Sequence, residues 1–481
     1  MIVSALETPG GRPAPPGRRA AAALLVLAAL AAGAAVAVDG RLVYLAVYGA
    51  FGLAYGAVLQ YGRFCMASAV RDLFAVGVVR MAVGVLIAVV LFALTAALVR
   101  GAGLSAFHAS ALGWHVPIGG AIFGLAMVFT GGCASSSLYK CGEGSLSALL
   151  VIVAISLSQA WFVSAGGWLD ALVPASWAAE AAVQAQTMPA ELDIGRGWFD
   201  QFLAGHVWGL QGGTLAERLG VEGRWLPVLL DTTLVAVLPA LALLLLLYRL
   251  RFCRPWLKRS GVSAPGLADD LRGLAAMLGS SRNTAIAGLL LGLLAGLQMA
   301  VTSALREHWG ILNFGEALAA AGFSSGLSLQ DTVFDPGYWY ITTQEAQLGG
   351  WIFERLGRPS MDNLFFGLDN GLPPPWLNAP LWMSAGIVVG AAVRANLVGE
   401  FKWKWPGLET ALLALAGGAL MGIGSRIGMG CNIGAFFATV TNGDPSGWLF
   451  LAGMSAGAFV GVRLLQRWIE WQASRQSGWS V

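Results

Sequence analysis

The sequence predicts an all-α polytopic membrane protein of about ten transmembrane helices, arranged as two inverted repeats with short re-entrant half-helices. Three observations predict it. Of 481 residues, 57% are hydrophobic and only 11% charged, against about 25% charged in a soluble domain. Long apolar runs recur along the chain, each near the ~20 residues a helical span needs. A Gly-x-x-x-Gly pattern followed by cysteine at fixed spacing recurs in both halves.

The candidate spans are 20–38, 41–60, 73–99, 117–132, 146–168, 226–248, 284–300, 379–397, 408–427 and 447–464. The first follows Arg12, Arg18 and Arg19, as a signal peptide would. Its apolar stretch is long for a signal h-region, so an uncleaved first span is expected. The 65 glycines suit close helix packing in lipid, where small residues let backbones approach.

Cytoplasmic loops collect Lys and Arg. Segment 249–282 holds Arg249, Arg251, Arg254, Lys258, Arg259, Arg272 and Arg282 against Asp269 and Asp270, and the C-terminal tail holds Arg463, Arg467 and Arg475. Both, with the basic N-terminus, are expected in the cytoplasm, which requires an even number of spans. The chain then divides into a cytoplasmic tail 1–19, a first membrane half 20–168 with two Cys-bearing modules, and an extracytoplasmic loop 169–225. A span and basic cytoplasmic loop 226–283 follow, then a second half 284–464 that includes an extracytoplasmic loop 303–376, and a cytoplasmic tail 465–481. The two outer loops are acidic and rich in Trp, which favours the headgroup level. A cap or an oligomer contact is the role their length suggests.

The repeat is the most informative pattern. Gly119-Gly120-Ala121-Ile122-Phe123-Gly124 precedes Cys133, and Gly417-Gly418-Ala419-Leu420-Met421-Gly422 precedes Cys431, with the same interval. Gly52 and Gly56 stand in the same relation to Cys65. Gly288 and Gly292 make a fourth copy, with Val301 at the cysteine position. In a ten-span topology the two halves run in opposite senses, a transporter architecture with its site near the midplane, where helices break. The Ser- and Gly-marked segments after each cysteine are ill suited to lipid-facing helix. Non-helical backbone at that depth must be buried or line a cavity. Short half-helices there would aim unpaired N–H groups at the axis and attract anions.

The segments Tyr61-Gly-Arg-Phe-Cys65-Met-Ala-Ser-Ala, Thr130-Gly-Gly-Cys133-Ala-Ser-Ser and Gly424-Ser-Arg-Ile-Gly-Met-Gly-Cys431-Asn-Ile-Gly-Ala-Phe-Phe resemble the YeeE/YedE family of sulfur-transport proteins, over about 41–165 and 284–464. The resemblance implies an hourglass-shaped transporter of thiosulfate or a similar small sulfur anion in the bacterial inner membrane. It also implies three pathway cysteines, Cys65, Cys133 and Cys431, and a separate TusA-like sulfurtransferase as a cytoplasmic partner. The extra N-terminal span and long outer loops depart from a typical member.

A dianion cannot cross hydrocarbon uncompensated. Helix N-termini offer partial charge, and thiols offer a weak S–H donor. A thiolate would repel the dianion, so the expected mechanism is a non-covalent relay between neutral thiols. A buried Cys is ordinarily a small hydrophobe. The shared register lifts Cys65, Cys133 and Cys431 out of that class, and nothing does so for Cys141 or Cys253. Arg63 and Arg426 precede their cysteines closely. Each is an electrostatic lure for anions or, in the plainer reading, a snorkelling side chain. Ser135 and Asn432 are accessory candidates or simple helix caps. Arg71 and Arg80 read as positive-inside residues. His108, His115, His206 and His308 fall in predicted outer loops without metal-ligand spacing and receive no role.

No metal or cofactor is expected, and a net charge of +3 gives no support to a nucleic-acid partner. Without a Walker A pattern the chain has no visible means of hydrolysing ATP. The competing classes are a membrane thiol or sulfur-transfer enzyme and a scaffold for a sulfurtransferase. Against the enzyme, the five cysteines form no CxxC pair and stand far apart in the chain.

Overall fold

The computed structural model describes residues 17–104, 107, 112–164, 175–176, 179, 207–209, 213–261, 266–310, 314–323, 341–358 and 374–477. Most of the outer loop 169–225 lies outside these residues. Among them, ten helical segments are long and apolar enough to cross a membrane, matching the number read from the sequence.

The first half contains α1 (Arg18–Val38), α2 (Val43–Gly62), α3 (Met66–Ala75), α4 (Arg80–Gly101), α5 (His115–Phe129), α6 (Ala134–Gly142) and α7 (Leu146–Ser164). Helix α8 (Leu226–Ser260) and α9 (Leu267–Leu278) connect it to the second half. There α10 (Arg282–Trp309), α11 (Thr342–Arg355), α12 (Ala379–Leu397), α13 (Leu408–Ile427), the short α14 (Asn432–Thr441) and α15 (Ser446–Ser477) follow. A small antiparallel ribbon pairs Leu112–Gly113 with Val207–Gly209.

Two of the differences from the expected spans have clear physical reasons, while α10 and α15 also run on past their expected ends to Trp309 and Ser477. The run 73–99 joins two elements, because α3 ends at Ala75 and Gly77 takes φ 70° before α4 begins. Among its described residues, the basic segment after 248 is mainly helix rather than loop. Its first half continues α8, with Lys258 and Arg259 in the last turn, where cations suit the helix dipole. Helix α9 is tied back by Tyr248 Oη donating to Asp270 Oδ1 at 3.0 Å and by an Arg249–Asp270 ion pair at 2.8 Å.

The repeated glycines are where helices touch. A Cβ on Gly52 or Gly56 of α2 would lie 2.3 or 2.1 Å from the Met383 or Ile387 carbonyl oxygen of α12. On Gly288 of α10 it would lie 2.4 Å from the Gly84 oxygen of α4. Gly124 of α5 meets the Met454 oxygen of α15, and Gly418 of α13 meets Val151 and Ala154 of α7. Each Gly-x-x-x-Gly is thus a backbone-to-backbone packing face, the role small residues take when lipid supplies no hydrophobic drive between helices.

The packing pattern is unchanged when the halves are exchanged. Helix α2 lies on α12 as α10 lies on α4, and α5 lies on α15 as α13 lies on α7. The short helices obey the same exchange, since α3 touches α15 as α11 touches α7, and α6 touches α12 as α14 touches α4. Leucines such as Leu27, Leu94, Leu245, Leu293 and Leu297 are exposed on the outside of the bundle, the surface a bilayer would cover.

Candidate functional site

Three helices break in the same way just before a cysteine. Two residues ahead of Cys65, Cys133 and Cys431 stand Arg63 (φ 45°), Gly131 (φ 69°) and Met429 (φ 59°), all left-handed. Glycine adopts this region freely, whereas Arg63 and Met429 carry a cost of about 1–2 kcal/mol each. Each cysteine is then the extended N-cap of a short helix, α3, α6 or α14. Its carbonyl accepts from the amide four residues on (Ala69, Ser137 and Ala435). Its sulfur faces the amide three residues on (Ser68, Ser136 and Gly434). All three cysteines are buried, at 3%, 0% and 1% exposure. The positive dipole end of each of these three short helices therefore lies at its own capping thiol.

The fourth break is displaced. Val301 lies inside the uninterrupted α10, so the spacing rule fails in that copy. The corresponding short helix is α11, reached only after residues 310–341, with Ile341 at its N-cap. Thr342, Thr343, Gln344 and Glu345 of its first turn are buried at 1%, 8%, 1% and 2% exposure. Part of the segment read as the outer loop 303–376 is therefore packed against α7.

The cysteines form two centres. Cys65 and Cys133 lie side by side, both as free thiols. Ser135 Oγ sits 3.2 Å from Cys133 Sγ. Ser136 Oγ accepts from the Cys133 amide at 2.8 Å and also lies beside Cys65. Two cations cover the break between α5 and α6, Lys140 Nζ donating to the Gly131 carbonyl at 2.8 Å and Arg71 Nη1 at 3.5 Å. Arg71 is also paired with Asp72.

Cys431 keeps different company, with the Thr342 side chain of α11 beside it and Glu345 of the same turn within electrostatic range. Arg426 is fully buried and donates from Nη2 to Thr343 Oγ1 at 3.3 Å. Gln159 Nε2 donates to the Thr342 carbonyl at 2.9 Å, and Ser425 Oγ donates to Gln159 Oε1 at 3.1 Å. Asn432 is wholly buried, and neither its amide nitrogen nor its oxygen has a hydrogen-bond partner among the described residues.

The accessory candidates separate. Arg63 lies at the surface, with its side chain 66% exposed and paired to Glu400 at 3.1 Å. Arg426, Ser135 and Asn432 are buried beside or near cysteines. His115 is the buried first residue of α5, not part of an outer loop, with Nε2 3.1 Å from Met429 Sδ at the break before Cys431. His308 closes α10, and His108 and His206 lie outside the described residues. Cys253 is buried within α8 and Cys141 is half-buried on α6.

Sequence reasoning missed Ser136, Lys140 and Thr342 around the thiols, and Arg71, Gln159, Thr343 and Glu345 in the networks that surround them. For Lys140 a signal existed, since it lies one helical face along from Ser136 at i,i+4. It also took separation along the chain as separation in space for Cys65 and Cys133.

The sequence model of the family described as Sulphur transport matches residues 61–460, from just before Cys65 to beyond Cys431. The chain is similar to the thiosulfate transporter TsuA of Spirochaeta thermophila, 29% identical over 83% of this chain and 92% of that protein. It is also similar to the thiosulfate transporter TsuA of Escherichia coli, 24% identical over 85% and 91%. The probable transporter YedE of Escherichia coli is 28% identical over 33% of this chain and 39% of its own.

Proposed function

The chain belongs to the Sulphur transport family, and from that premise we propose that it takes up thiosulfate, or a closely related sulfur anion, through a pathway built on Cys65, Cys133 and Cys431. It is a multi-pass membrane protein and a sulfur-compound transporter, not an enzyme. The observation that carries the substrate reading is the repeated N-cap, with three buried thiols each facing a helix-terminal amide.

That arrangement suits thiosulfate chemically. The amides offer partial positive charge to the anionic oxygens, and the thiols offer weak donors to the soft terminal sulfur. Neither binds so strongly that the ion would be trapped, and passage requires sites weak enough to leave. The anion moves between the Cys431 centre and the Cys65–Cys133 centre with no covalent bond formed. Arg426 and Asn432 accompany Cys431, and Ser135 accompanies Cys133. Arg63, exposed and paired with Glu400, is at most an entry group.

The exchangeable packing of the halves supports an inverted repeat, with α3, α6, α11 and α14 as re-entrant half-helices meeting in an hourglass. The basic residues of α8, α9 and the C-terminal helix support a reading with both termini cytoplasmic, and that reading sets the protein in the bacterial inner membrane. A TusA-like sulfurtransferase on that side would consume the imported sulfur.

The test is competition. Proteoliposomes holding the purified protein should accumulate labelled thiosulfate, and unlabelled thiosulfate should suppress this far more than sulfate, which lacks the soft sulfur. Equal suppression by sulfate would remove the thiols from the account.

A further inference from the structure

Glu345 has no part in the relay, yet it is among the least expected residues in the bundle. It is 2% exposed, and neither carboxylate oxygen has a hydrogen-bond partner among the described residues. Its backbone is held firmly, its carbonyl accepting from Ser156 Oγ of α7 at 2.5 Å. The lone side chain is therefore placed by the fold and not by partners of its own. An ionised carboxylate in such a site is costly unless something compensates it, and the neutral acid is far less so.

We propose that Glu345 is a proton-carrying site, and that entry of the sulfur anion is coupled to inward movement of a proton through it. The proposal rests on the transport reading above. One influence opposes burial and keeps ionisation within reach, since Glu345 lies in the first turn of α11, where the helix dipole favours negative charge. The charged group bonded to the same turn is Arg426, through Thr343. Cys431 is the titratable group within electrostatic range of Glu345. Among the described residues, the groups that hydrogen-bond the first turn of α11 besides Arg426 are neutral, Ser156 and Gln159 from α7 and Ser384 from α12.

A dianion arriving at Cys431 adds negative charge within electrostatic range of Glu345 and so raises the carboxylate's hold on a proton. By linkage, a proton on Glu345 strengthens anion binding by the same factor. The proton comes from the outer aqueous phase and leaves to the cytoplasm when the anion departs. No bond other than the carboxyl O–H forms or breaks. One positive charge then accompanies the anion against an inside-negative potential.

The experiment measures protons moved per thiosulfate in proteoliposomes that contain a trapped fluorescent pH reporter, with labelled thiosulfate followed in parallel. The wild type should acidify the lumen in proportion to thiosulfate entry. In E345Q, whatever thiosulfate enters should bring no acidification. An unchanged ratio in E345Q, or thiosulfate entry without acidification in the wild type, overturns the proposal. Should E345Q remain monodisperse but transport nothing, E345D decides. Entry with acidification in E345D supports the site, and entry without it overturns the site. No thiosulfate entry in the wild type would defeat the transport reading itself, and the proposal with it, a result distinct from entry without protons.

Discussion

The thiols of Cys65 and Cys133 lie side by side although they cap different helices in different modules. Both remain free. In the proposed relay, two donors at one place would hold a single soft sulfur between them. Mild oxidation of the purified protein should therefore join Cys65 to Cys133, seen by mass spectrometry as one disulfide-linked peptide pair, and should stop uptake until a reductant is added. Uptake by C65A or C133A should be insensitive to the oxidant. Full uptake by a protein shown to carry the disulfide would contradict this.

A hydrogen bond to a charged partner contributes about 1.5–3 kcal/mol, so deleting one thiol should slow uptake roughly tenfold to a hundredfold. C65A, C133A and C431A should each show this loss at unchanged protein level in the membrane. C431S, which keeps a donor, should retain more uptake than C431A. Mass analysis after turnover should find no persulfide on any of the three. An obligatory persulfide would favour covalent sulfur transfer over the relay.

The two arginines near cysteines should behave differently. Arg426 is buried and bonded to Thr343, whereas Arg63 is exposed and paired with Glu400. Exposed pairs contribute about 0–1 kcal/mol. R63Q should leave thiosulfate affinity nearly unchanged, while R426Q should weaken it strongly, as read by the KM for uptake. Equal effects would mean that burial does not distinguish their roles.

The packing glycines admit a stability test. A Cβ on Gly56 would meet the Ile387 oxygen at 2.1 Å, whereas one on Gly33 of α1 meets nothing within 4 Å. Overpacking costs about 1–3 kcal/mol or more, and here the obstacle is backbone. G56L should melt well below wild type in detergent, and G33L should match it. Equal melting of the two variants would show that α2 and α12 can separate without loss.

A buried ion pair joins Arg100 of α4 to Asp231 of α8, at 10% and 0% side-chain exposure. Asp231 also accepts from the Ala216 amide at 2.7 Å. Removing one partner of such a pair costs about 3–5 kcal/mol, because the other charge stays buried. D231A should lower the melting temperature more than R100L/D231L does. The reverse order would place the stabilising interaction elsewhere.

Much of this architecture is legible in the sequence, for identifiable reasons. Spans are set by composition, so runs such as 379–397 and 408–427 coincide with α12 and α13. The interval from Gly56 to Cys65 also marks a helix break, because the same local geometry is built three times. What escapes is whatever depends on contacts between distant segments. The adjacency of Cys65 and Cys133 arises from the packing of whole modules. The fourth half-helix is hidden because residues 310–341 separate α11 from α10 and Ile341 stands where the others have cysteine. Glu345 reads as one more acid in an acidic loop, and only the fold buries it.

The central claim, that three N-cap thiols carry the sulfur anion across the bilayer, is tested most directly by one comparison. Radiolabelled thiosulfate uptake is measured in proteoliposomes containing the wild type and, beside it, the C65A/C133A/C431A variant at equal protein content. Uptake by the wild type that falls to the level of empty liposomes in the variant is the predicted result. Undiminished uptake by the variant would contradict it.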